Sequence, residues 1–451
     1  EALGERRDAA AMAGLVALLD ARDESLVAAA ATALGQIGER GSQAAESAAP
    51  AASRLCALLS QASPRPAPPV REAVVRALAR MAREDSAPAL VWALDDGETR
   101  VRFYAVQGLG NLDRATPGVT EALRRHLDDG DKGVRTAAAN ALGKLGGAQD
   151  GRAIAERLLD AEQEKEPEVR AALWRALTAI QKRDGSLAGT EQLADRFAGG
   201  DDPQSAPGAL KLYEIALEKA AAESANGRCG PLRLKMADLY LRLGQPNKAV
   251  DVLREHVRQL PEGAERTAAE RKLGQALLEV PPHVPGAEQL AKLAANAPPQ
   301  VRDEILGEVL ARVRRLKAEG KLAEAYGVLT VGRETLGADW ASSAHARQME
   351  DLRVELGAAL LDLSLEGLQS GEEAVRQRAE EDVTRIVRSF PDLLLARLEA
   401  ALVAANVQRI GDLERFLPLV RSDTMAYGAA KTKEDRLKVI ADWRAELGGA
   451  P

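Results

Sequence analysis

One sixteen-residue pattern recurs five times in the N-terminal part of this chain. Its clearest copy runs from Asp131 to Gly146, and every copy carries an apolar residue followed eight positions later by leucine. The spacings between copies are 44, 31, 33 and 35 residues, counted from position zero, which is occupied by Leu26, Val70, Val101, Val134 and Val169. Self-similarity at such a period is the signature of a stacked repeat array. The repeat alone therefore predicts a stacked array, without any argument from composition.

Each copy has the pattern of an amphipathic helix. Positions zero, four, eight and eleven are apolar, as in Val134, Ala138, Leu142 and Leu145, and this spacing forms one stripe on a helix. A second apolar segment and a short turn precede each stripe, so the unit reads as helix, turn, helix. The sequence predicts an all-α fold, an α-solenoid of helical hairpins.

The turn before each repeated helix carries a helix-start signal. A carboxylate stands three residues before position zero, where it can cap free backbone amides and meet the positive end of the helix dipole. Proline, which is tolerated at the first helical position, occurs in two of the turns as Pro68 and Pro167. The predicted capping residues are Asp23, Glu98, Asp131 and Glu166.

These units resemble HEAT-like repeats of the short, alanine-rich kind first named for phycobilin lyases. The resemblance covers roughly residues 13–182, within a predicted array over 1–182. It implies stacked helical hairpins that present a binding surface. It does not imply one activity, because the family includes scaffolds, lyases and metal hydroxylases.

The pattern lapses after the fifth copy, and residues 183–207 are predicted to form a linker rich in Gly, Asp, Ser and Pro. Residues 208–340 resemble tetratricopeptide (TPR) hairpins, with a partial second copy at Gly320, Ala325 and Leu329. The best copy matches the TPR consensus at Ala237, Tyr240, Gly244, Ala249, Leu253 and Pro261.

Residues 341–451 are predicted to be a helical region of no assigned repeat class. Helices are expected over 350–370, 372–389 and 391–405. Thr432 and Asp435 form a predicted capping box for a last helix that covers the final hairpin. The expected buried stripe of that helix is Leu437, Ile440, Trp443 and Leu447.

Composition narrows the class of partner. Aromatic residues make up 3% of the chain, which suits thin helical layers better than a deep α/β core, and the formal net charge is −7. An acidic chain is disfavoured for non-specific nucleic-acid binding. No apolar stretch is long enough to span a bilayer, so we expect a soluble protein. Because the chain begins at Glu1, we expect that an N-terminal segment has been removed, and both a cytoplasmic and an exported location stay open.

No catalytic constellation is apparent, and we expect no enzyme activity, cofactor or metal. Asp128–Gly133 is similar to a calcium loop, but Asn140 stands where a bidentate Glu is required, so a turn with a capping Asp is the better interpretation. The two cysteines, Cys56 and Cys229, suggest neither a disulfide framework nor a zinc site. The four histidines form no pair with metal-binding spacing: His126, His256, His283 and His345.

Two further sets of residues are interpreted as structural. The arginine that follows position zero is expected to reach acids of the neighbouring repeat, as Arg71, Arg102, Arg135 and Arg170. Trp92, Tyr104 and Trp174 lie near the apolar stripes and are expected to pack in the core.

The face of the repeated helix away from the core gives the candidate binding surface. Positions six and ten lie about 240° and about 280° around the helix from position zero. No acid occupies these positions in this acidic protein. We predict that this ribbon lines the concave surface and takes an acidic or polar partner, against the alternative of an ordinary solvated face. Its residues are Thr32, Gln36, Arg76, Arg80, Gln107, Asn111, Asn140, Lys144 and Arg175.

The sequence therefore favours a non-catalytic scaffold or adaptor that binds protein partners. Small-molecule and nucleic-acid ligands are disfavoured, but two alternatives remain open. One is a phycobilin-lyase-like or chaperone-lyase protein that binds a small ligand. The other is a HEAT-like protein that binds nucleic acid.

Overall fold

The structure, a computed structural model, describes residues 9–42, 44–60, 65–115, 118–160, 163–200, 205–422 and 424–448. Over these residues it contains α-helices and short 3₁₀ turns and no strand, which confirms the all-α fold. The chain divides into two compact units, Glu1–Leu239 and Tyr240–Pro451.

The first unit consists of paired helices. The first helix of each pair, called an A-helix, is α1, α3, α5, α7, α9 or α11, and the second, called a B-helix, is α2, α4, α6, α8, α10 or α12. The bounds are α1 Met12–Leu18, α2 Glu24–Ile37, α3 Ala49–Ser60, α4 Pro68–Met81, α5 Ala87–Ala93, α6 Thr99–Gly110, α7 Val119–Arg125, α8 Lys132–Leu145, α9 Ala148–Leu159, α10 Pro167–Asp184, α11 Leu187–Ala198 and α12 Ser205–Ala222.

The helices of the first unit form two layers. Each B-helix packs against its own A-helix and against the B-helices of the neighbouring pairs. The apolar stripe of the repeat lies between the layers, where Val101, Ala105, Leu109 and Leu112 are fully buried. Leu26 is the exception at position zero: it is 40% exposed, and Val27 is buried beside it. The buried face of α2 begins at Val27, one residue later than the repeat pattern predicts.

The predicted caps are confirmed for aspartate and not for glutamate. Asp23 and Asp131 each accept hydrogen bonds from backbone amides of the first helical turn. Glu98 and Glu166 occupy the same N-cap position, but their side chains make no capping hydrogen bond. Glutamate has one more methylene than the preferred capping residues, which explains the difference.

Glycine and alanine set the spacing between neighbouring B-helices. A Cβ added at Gly35 would lie 2.6 Å from the Ala77 Cα, and one added at Gly143 would lie 2.9 Å from the Ala176 Cα. The glycine stands at position nine of one repeat and the alanine at position seven of the next. At the contact between α4 and α6 the two residue types are exchanged, with Ala79 against Gly108. Each of these contacts therefore has one glycine, which allows the helices to approach closely.

The segment predicted as a linker contains a packed helix. Residues 187–198 form α11, whose Leu193, Ala194 and Phe197 are buried, and α11 packs against α12. The first compact unit continues to Leu239. The interpretation of 187–198 as linker is therefore wrong, because its polar composition hid an apolar face. Residues 201–204 lie outside the described residues.

The second unit contains further helical hairpins. Helix α13, Asn226–Arg242, crosses the boundary between the units. The helices that follow are α14 Pro246–Gln259, α15 Ala264–Leu278, α16 Val284–Ala295, α17 Pro299–Ala318, α18 Leu322–Leu336, α19 Ala346–Gly367, α20 Glu373–Ser389, α21 Pro391–Val403, α22 Val407–Glu414, α23 Leu417–Val420, α24 Met425–Ala429 and α25 Lys433–Gly448.

Two glycines of the TPR-like pattern lie in turns between helices. Gly244 and Gly320 lie in turns between helices with φ of 67° and 77°, a left-handed conformation that favours glycine. Ala249, Leu253 and Ala325 are fully buried. The helical hairpins are present in the structure, whereas their assignment to the TPR class stays a prediction.

The four helices predicted in the C-terminal region are present as α19, α20, α21 and α25, whereas the short helices α22, α23 and α24 were not predicted. Helices α19, α20 and α21 differ from the predicted bounds by no more than a few residues. The Thr432 hydroxyl accepts from the Asp435 amide at 3.1 Å, and the Asp435 carboxylate accepts from the Thr432 amide at 3.3 Å, which confirms the capping box. Ile440 and Trp443 are buried, but Leu447 is 37% exposed because it lies at the end of α25, beyond the packed part of the stripe.

None of the helices described in either unit combines the length and the hydrophobicity that crossing a lipid bilayer would require.

Candidate functional site

Buried and partly buried arginine–carboxylate pairs connect neighbouring repeats. Arg102 donates to both carboxylate oxygens of Asp129, at 2.7 and 3.0 Å. Arg71 pairs with Asp96 and Arg135 with Glu164 in the same bidentate way, at 2.8 to 3.1 Å. These contacts confirm for Arg71, Arg102 and Arg135 that the arginine after position zero reaches an acid of the next repeat. Arg170 is also buried and donates to the Glu164 carbonyl.

The paired carboxylates also organise the turn in which they lie. Asp96, Asp129 and Glu164 each accept a hydrogen bond from the backbone amide two residues later. Burial raises the pKa of Asp129, but the hydrogen bonds from Arg102 and the Asp131 amide outweigh this effect, so the pKa lies below its ordinary value. The pKa values of Asp96 and Glu164 are lowered in the same way. Arg71, Arg102 and Arg135, which bind these carboxylates, therefore have a structural role.

The calcium-like segment is held by the same contacts. Asp129 is engaged by Arg102, and Asp131 accepts from the Val134 amide at the start of α8. This confirms the interpretation of Asp128–Gly133 as a turn with a capping Asp. Among the described residues, no three His, Cys, Asp or Glu side chains are grouped so as to hold a metal ion. Cys56 and Cys229 are free thiols.

The B-helices carry two adjacent depressions on their outer face. The first, called the apolar groove, has a volume of about 440 Å³ and lies between α6 and α8. Its lining includes Phe103, Val106, Gly110, Ala137 and Ala141. The second, called the cationic basin, has a volume of about 550 Å³ and is lined by Arg76, Arg80 and Tyr104 together with Arg40 and Lys144. Gln107 and Asn111 line both depressions.

The structure brings six of the nine ribbon residues to these depressions. They are Arg76, Arg80, Gln107, Asn111, Asn140 and Lys144. The other three line neither depression. Thr32 is half-buried and donates to the Ala28 carbonyl, Gln36 is half-buried, and Arg175 is exposed. The binding role of the ribbon, and its position on a concave face, stay predictions.

Two of the ribbon residues have a structural task. The Lys144 ammonium donates to the Gly110 carbonyl at 3.0 Å, and the Asn111 amide donates to the Ala79 carbonyl at 3.0 Å. Each side chain thereby caps the C-terminal end of the preceding B-helix, where carbonyls lack helical partners. Arg183 and Lys219 do the same for the two following B-helices. The capping contacts restrict the freedom of Lys144 and Asn111 to bind a partner.

Arg76 and Arg80 are the uncommitted cations of the basin. Neither makes an ion pair with a carboxylate of the described chain, whereas Arg40 is paired with Asp113. Arg76 lies over the Tyr104 ring at 5.9 Å, a cation–π distance. Acids are not excluded from the surroundings, because Glu39 and Glu168 also line the depressions from outside positions six and ten.

The ribbon prediction missed positions two and three of the repeat. Phe103 and Tyr104 stand at these positions in α6, and Thr136 and Ala137 stand at them in α8; all four line a depression. Positions two and three lie at about 200° and about 300° around the helix, on either side of positions six and ten. The helical period therefore predicts that positions two and three lie on the same face as positions six and ten. A prediction that included all four positions would have named these residues.

The three aromatic residues expected in the core have different environments. Trp92 is 39% exposed, with the Arg65 guanidinium 4.4 Å from its ring, so the packing prediction is wrong for it. Tyr104 lines the basin. Trp174 packs against Phe197 at 4.5 Å between ring centroids, as predicted. Trp92 lies four residues after the exposed Pro88, and both therefore lie on the exposed face of α5.

Comparison with known families identifies the repeats of the first unit. Two overlapping stretches, residues 52–143 and 87–177, match the family model for HEAT repeats. Residues 52–177 are therefore HEAT repeats. No curated protein matches the chain.

Three of the solved structures that match the chain differ in identity, coverage and TM-score. An engineered protein is 17% identical over 98% of this chain and 99% of its own, with a TM-score of 0.38. A second engineered protein is 22% identical over 46% of this chain and 97% of its own, with a TM-score of 0.36. The complex of CpcE and CpcF of phycocyanin lyase from Nostoc sp. PCC7120 is 20% identical over 58% of this chain and 93% of its own, with a TM-score of 0.30.

Proposed function

We propose that the protein is a non-catalytic scaffold that holds a protein partner on the B-helix face of its HEAT repeats. The observation that carries the proposal is the meeting of six ribbon residues at two adjacent depressions, with Arg76 and Arg80 uncommitted in one of them. Surface cations without carboxylate partners in a chain of net charge −7 favour an acidic partner.

The small number of unpaired cationic side chains in the basin favours a protein partner over a nucleic acid. Of the four cationic side chains in the basin, Arg40 is paired with Asp113 and Lys144 donates to the Gly110 carbonyl. Two guanidinium groups remain, which could neutralise about two phosphates, and nucleic-acid binding proteins commonly use about 6–10 phosphate contacts. An acidic protein segment needs fewer charges, because apolar contacts contribute to its binding.

The packing of the B-helices supports a rigid binding surface. Glycine–alanine contacts hold α4, α6 and α8 at close distances, and buried ion pairs fix the turns that lead into α6 and α8. A surface that is already ordered loses little conformational entropy when a partner binds. The same interactions that stabilise the repeat would thereby increase affinity.

The test needs the native partner and a charge reversal confined to the basin. Affinity purification from the source cells with mass spectrometry would identify the partner, which is then purified and titrated against the chain. Arg76→Glu with Arg80→Glu should weaken binding at least about tenfold, since attraction is replaced by repulsion. Lys144 is left unchanged because it caps α6.

The matched control is Arg125→Glu with Arg152→Glu. Both arginines are exposed on A-helices of the same unit, and the change in net charge is identical. This control should bind the partner like the wild type, with an unchanged melting curve for both variants. Equal weakening by the two pairs would show a general charge effect and would contradict a site on the B-helices.

A further inference from the structure

The apolar groove and the cationic basin adjoin each other and are together called the trough. Both are lined by Gln107 on α6 and by Asn111 at the C-cap of α6, so a single bound segment can contact both depressions. The volumes, about 440 and 550 Å³, fall within the range of about 300–1,000 Å³ that is usual for ligand pockets. The trough lies entirely within the first unit.

The two ends of the trough differ in chemistry. At one end, small side chains at Gly110, Ala137 and Ala141 leave room beside Phe103 and Val106. This composition suits a large apolar side chain, which gains free energy when it is removed from water. At the other end Arg76 and Arg80 lie four residues apart on α4, where neighbouring guanidinium groups can receive two carboxylates.

Uncommitted amides occur along the apolar groove. The side chains of Gln107 and Asn140 are exposed, and neither amide has a hydrogen-bond partner among the described residues. A side-chain amide offers both donors and an acceptor, which is what the peptide groups of an extended chain require. These amides therefore suit a peptide main chain better than a purely apolar ligand.

We infer that the trough binds an extended acidic segment of a protein partner, with one large apolar side chain in the apolar groove and carboxylates on Arg76 and Arg80. This inference rests on the proposed function and specifies what the partner presents. Charge complementarity selects the acidic segment, and the apolar groove selects the side chain that anchors it.

The experiment measures the binding of three fluorescein-labelled peptides to the full chain by fluorescence anisotropy. The first peptide contains Asp and Glu around one central Leu. The second replaces Leu with Ser, and the third keeps Leu but replaces the acids with Asn and Gln. The wild-type chain should bind the first peptide at least about tenfold more tightly than the second, since burial of leucine is lost. The third should bind more weakly than the first and with little dependence on salt.

Variants separate the two ends of the trough. Arg76→Glu with Arg80→Glu should remove the preference for acids and keep the preference for Leu over Ser. Ala137→Phe, which fills the apolar groove, should remove the preference for Leu over Ser and keep the preference for acids. Thr136→Phe is a second variant that fills the groove, for use if Ala137→Phe unfolds α8. Arg125→Glu with Arg152→Glu should bind all three peptides like the wild type.

Equal binding of the acidic and neutral peptides to the wild type, or no binding of any peptide, would overturn the inference. The proposed function is judged by a separate result. If no peptide binds but the native partner is still lost in the Arg76/Arg80 variant, the inference fails and the proposed function stands. If the native partner binds that variant and Ala137→Phe as it binds the wild type, the proposed function fails.

Discussion

The two compact units reach similar helical architectures through different use of sequence. In the first unit the same contact recurs at the same position of three successive repeats, as Arg71–Asp96, Arg102–Asp129 and Arg135–Glu164. In the second unit ion pairs also join helices at nearly regular separations, for example 37 residues for Arg271–Glu308 and 38 for Lys317–Glu355. The residue types there follow no fixed positions. Only in the first unit, therefore, does the position of a residue in the repeat predict which residue it contacts.

Burial also distinguishes the pairs of the two units. Asp129 and Arg102 have side chains that are 6% and 18% exposed, whereas Asp362 and Arg397 of the second unit are 45% and 32% exposed. Both pairs are bidentate, with distances of 2.7 to 3.0 Å. A buried pair that loses one partner leaves an uncompensated charge away from water, and an exposed pair does not. The first unit should therefore depend more strongly on its ion pairs.

The largest expected effect is that of Asp129→Asn. The change leaves Arg102 buried without its carboxylate and should destabilise the first unit by about 3 kcal/mol. Hydrogen exchange with peptide resolution, measured on the full chain, reports the local free energy of opening for α6 and α8.

The matched variant in the second unit is Asp362→Asn. Its pair with Arg397 is partly exposed, so the expected loss is below about 1 kcal/mol. Equal losses in the two units would show that burial does not decide the contribution of these pairs.

The next effect is that of Gly35→Ala. The added methyl group would lie 2.6 Å from the Ala77 Cα and should destabilise the pair of α2 and α4 by about 2 kcal/mol, even though alanine is the better helix former. Ala77→Gly should recover part of the loss in the double variant, because the contact between α4 and α6 already has the exchanged arrangement.

The control for that substitution is Gly411→Ala in α22. No atom lies within 4 Å of a Cβ at Gly411, so only helix propensity changes, and the second unit should gain up to about 1 kcal/mol. Hydrogen exchange of α2 and α4 measures the expected destabilisation by Gly35→Ala, and hydrogen exchange of α22 measures the expected stabilisation by Gly411→Ala. A stabilising Gly35→Ala would show that the close contact between B-helices does not require glycine.

The third expected effect is a dependence on pH. The pKa values of Asp96, Asp129 and Glu164 are lowered in the folded state, so their stabilisation is complete above the unfolded-state values, near about 4, and is lost as the pH falls below them. The stability difference between wild type and Asp129→Asn should therefore shrink on going from about pH 7 to about pH 3. Chemical denaturation followed by circular dichroism measures the difference, and a constant difference would contradict an ionised Asp129.

The smallest expected effect is that of Lys144→Met. The ammonium that donates to the Gly110 carbonyl is exposed, so its loss should destabilise the end of α6 by about 0.5 kcal/mol. Faster hydrogen exchange confined to the last turn of α6 checks this result. Unchanged exchange there would show that Lys144 does not stabilise the end of α6 and that its ammonium, like Arg76 and Arg80, is available to a partner.

The sequence predicted most of the first unit because its repeat samples each position several times. The apolar stripe, the arginine pairs and the aspartate caps all follow from residue type and helical period. The pattern misplaces Leu26 because the buried face of α2 begins at Val27, and the packing prediction fails for Trp92 because that residue lies on the exposed face of α5 with Pro88.

The second unit and the site were less predictable. Helix α11 was assigned to a linker, since glycine, aspartate and serine obscured the buried Leu193 and Phe197. Positions six and ten predict only part of the lining of the depressions, because positions two and three lie on either side of them around the helix. The capping role of Lys144 and Asn111 depends on contacts between repeats, which sequence periodicity alone does not specify.

The most direct test of a binding surface on the B-helices is site-specific photocrosslinking in the source cells. A photoreactive amino acid would replace Asn140 in the trough or, as the comparison, Arg152 on an A-helix. A protein adduct should form from position 140, not from position 152, and should disappear when Arg76 and Arg80 are reversed to Glu. An adduct from position 152 with none from position 140 would contradict the proposed surface.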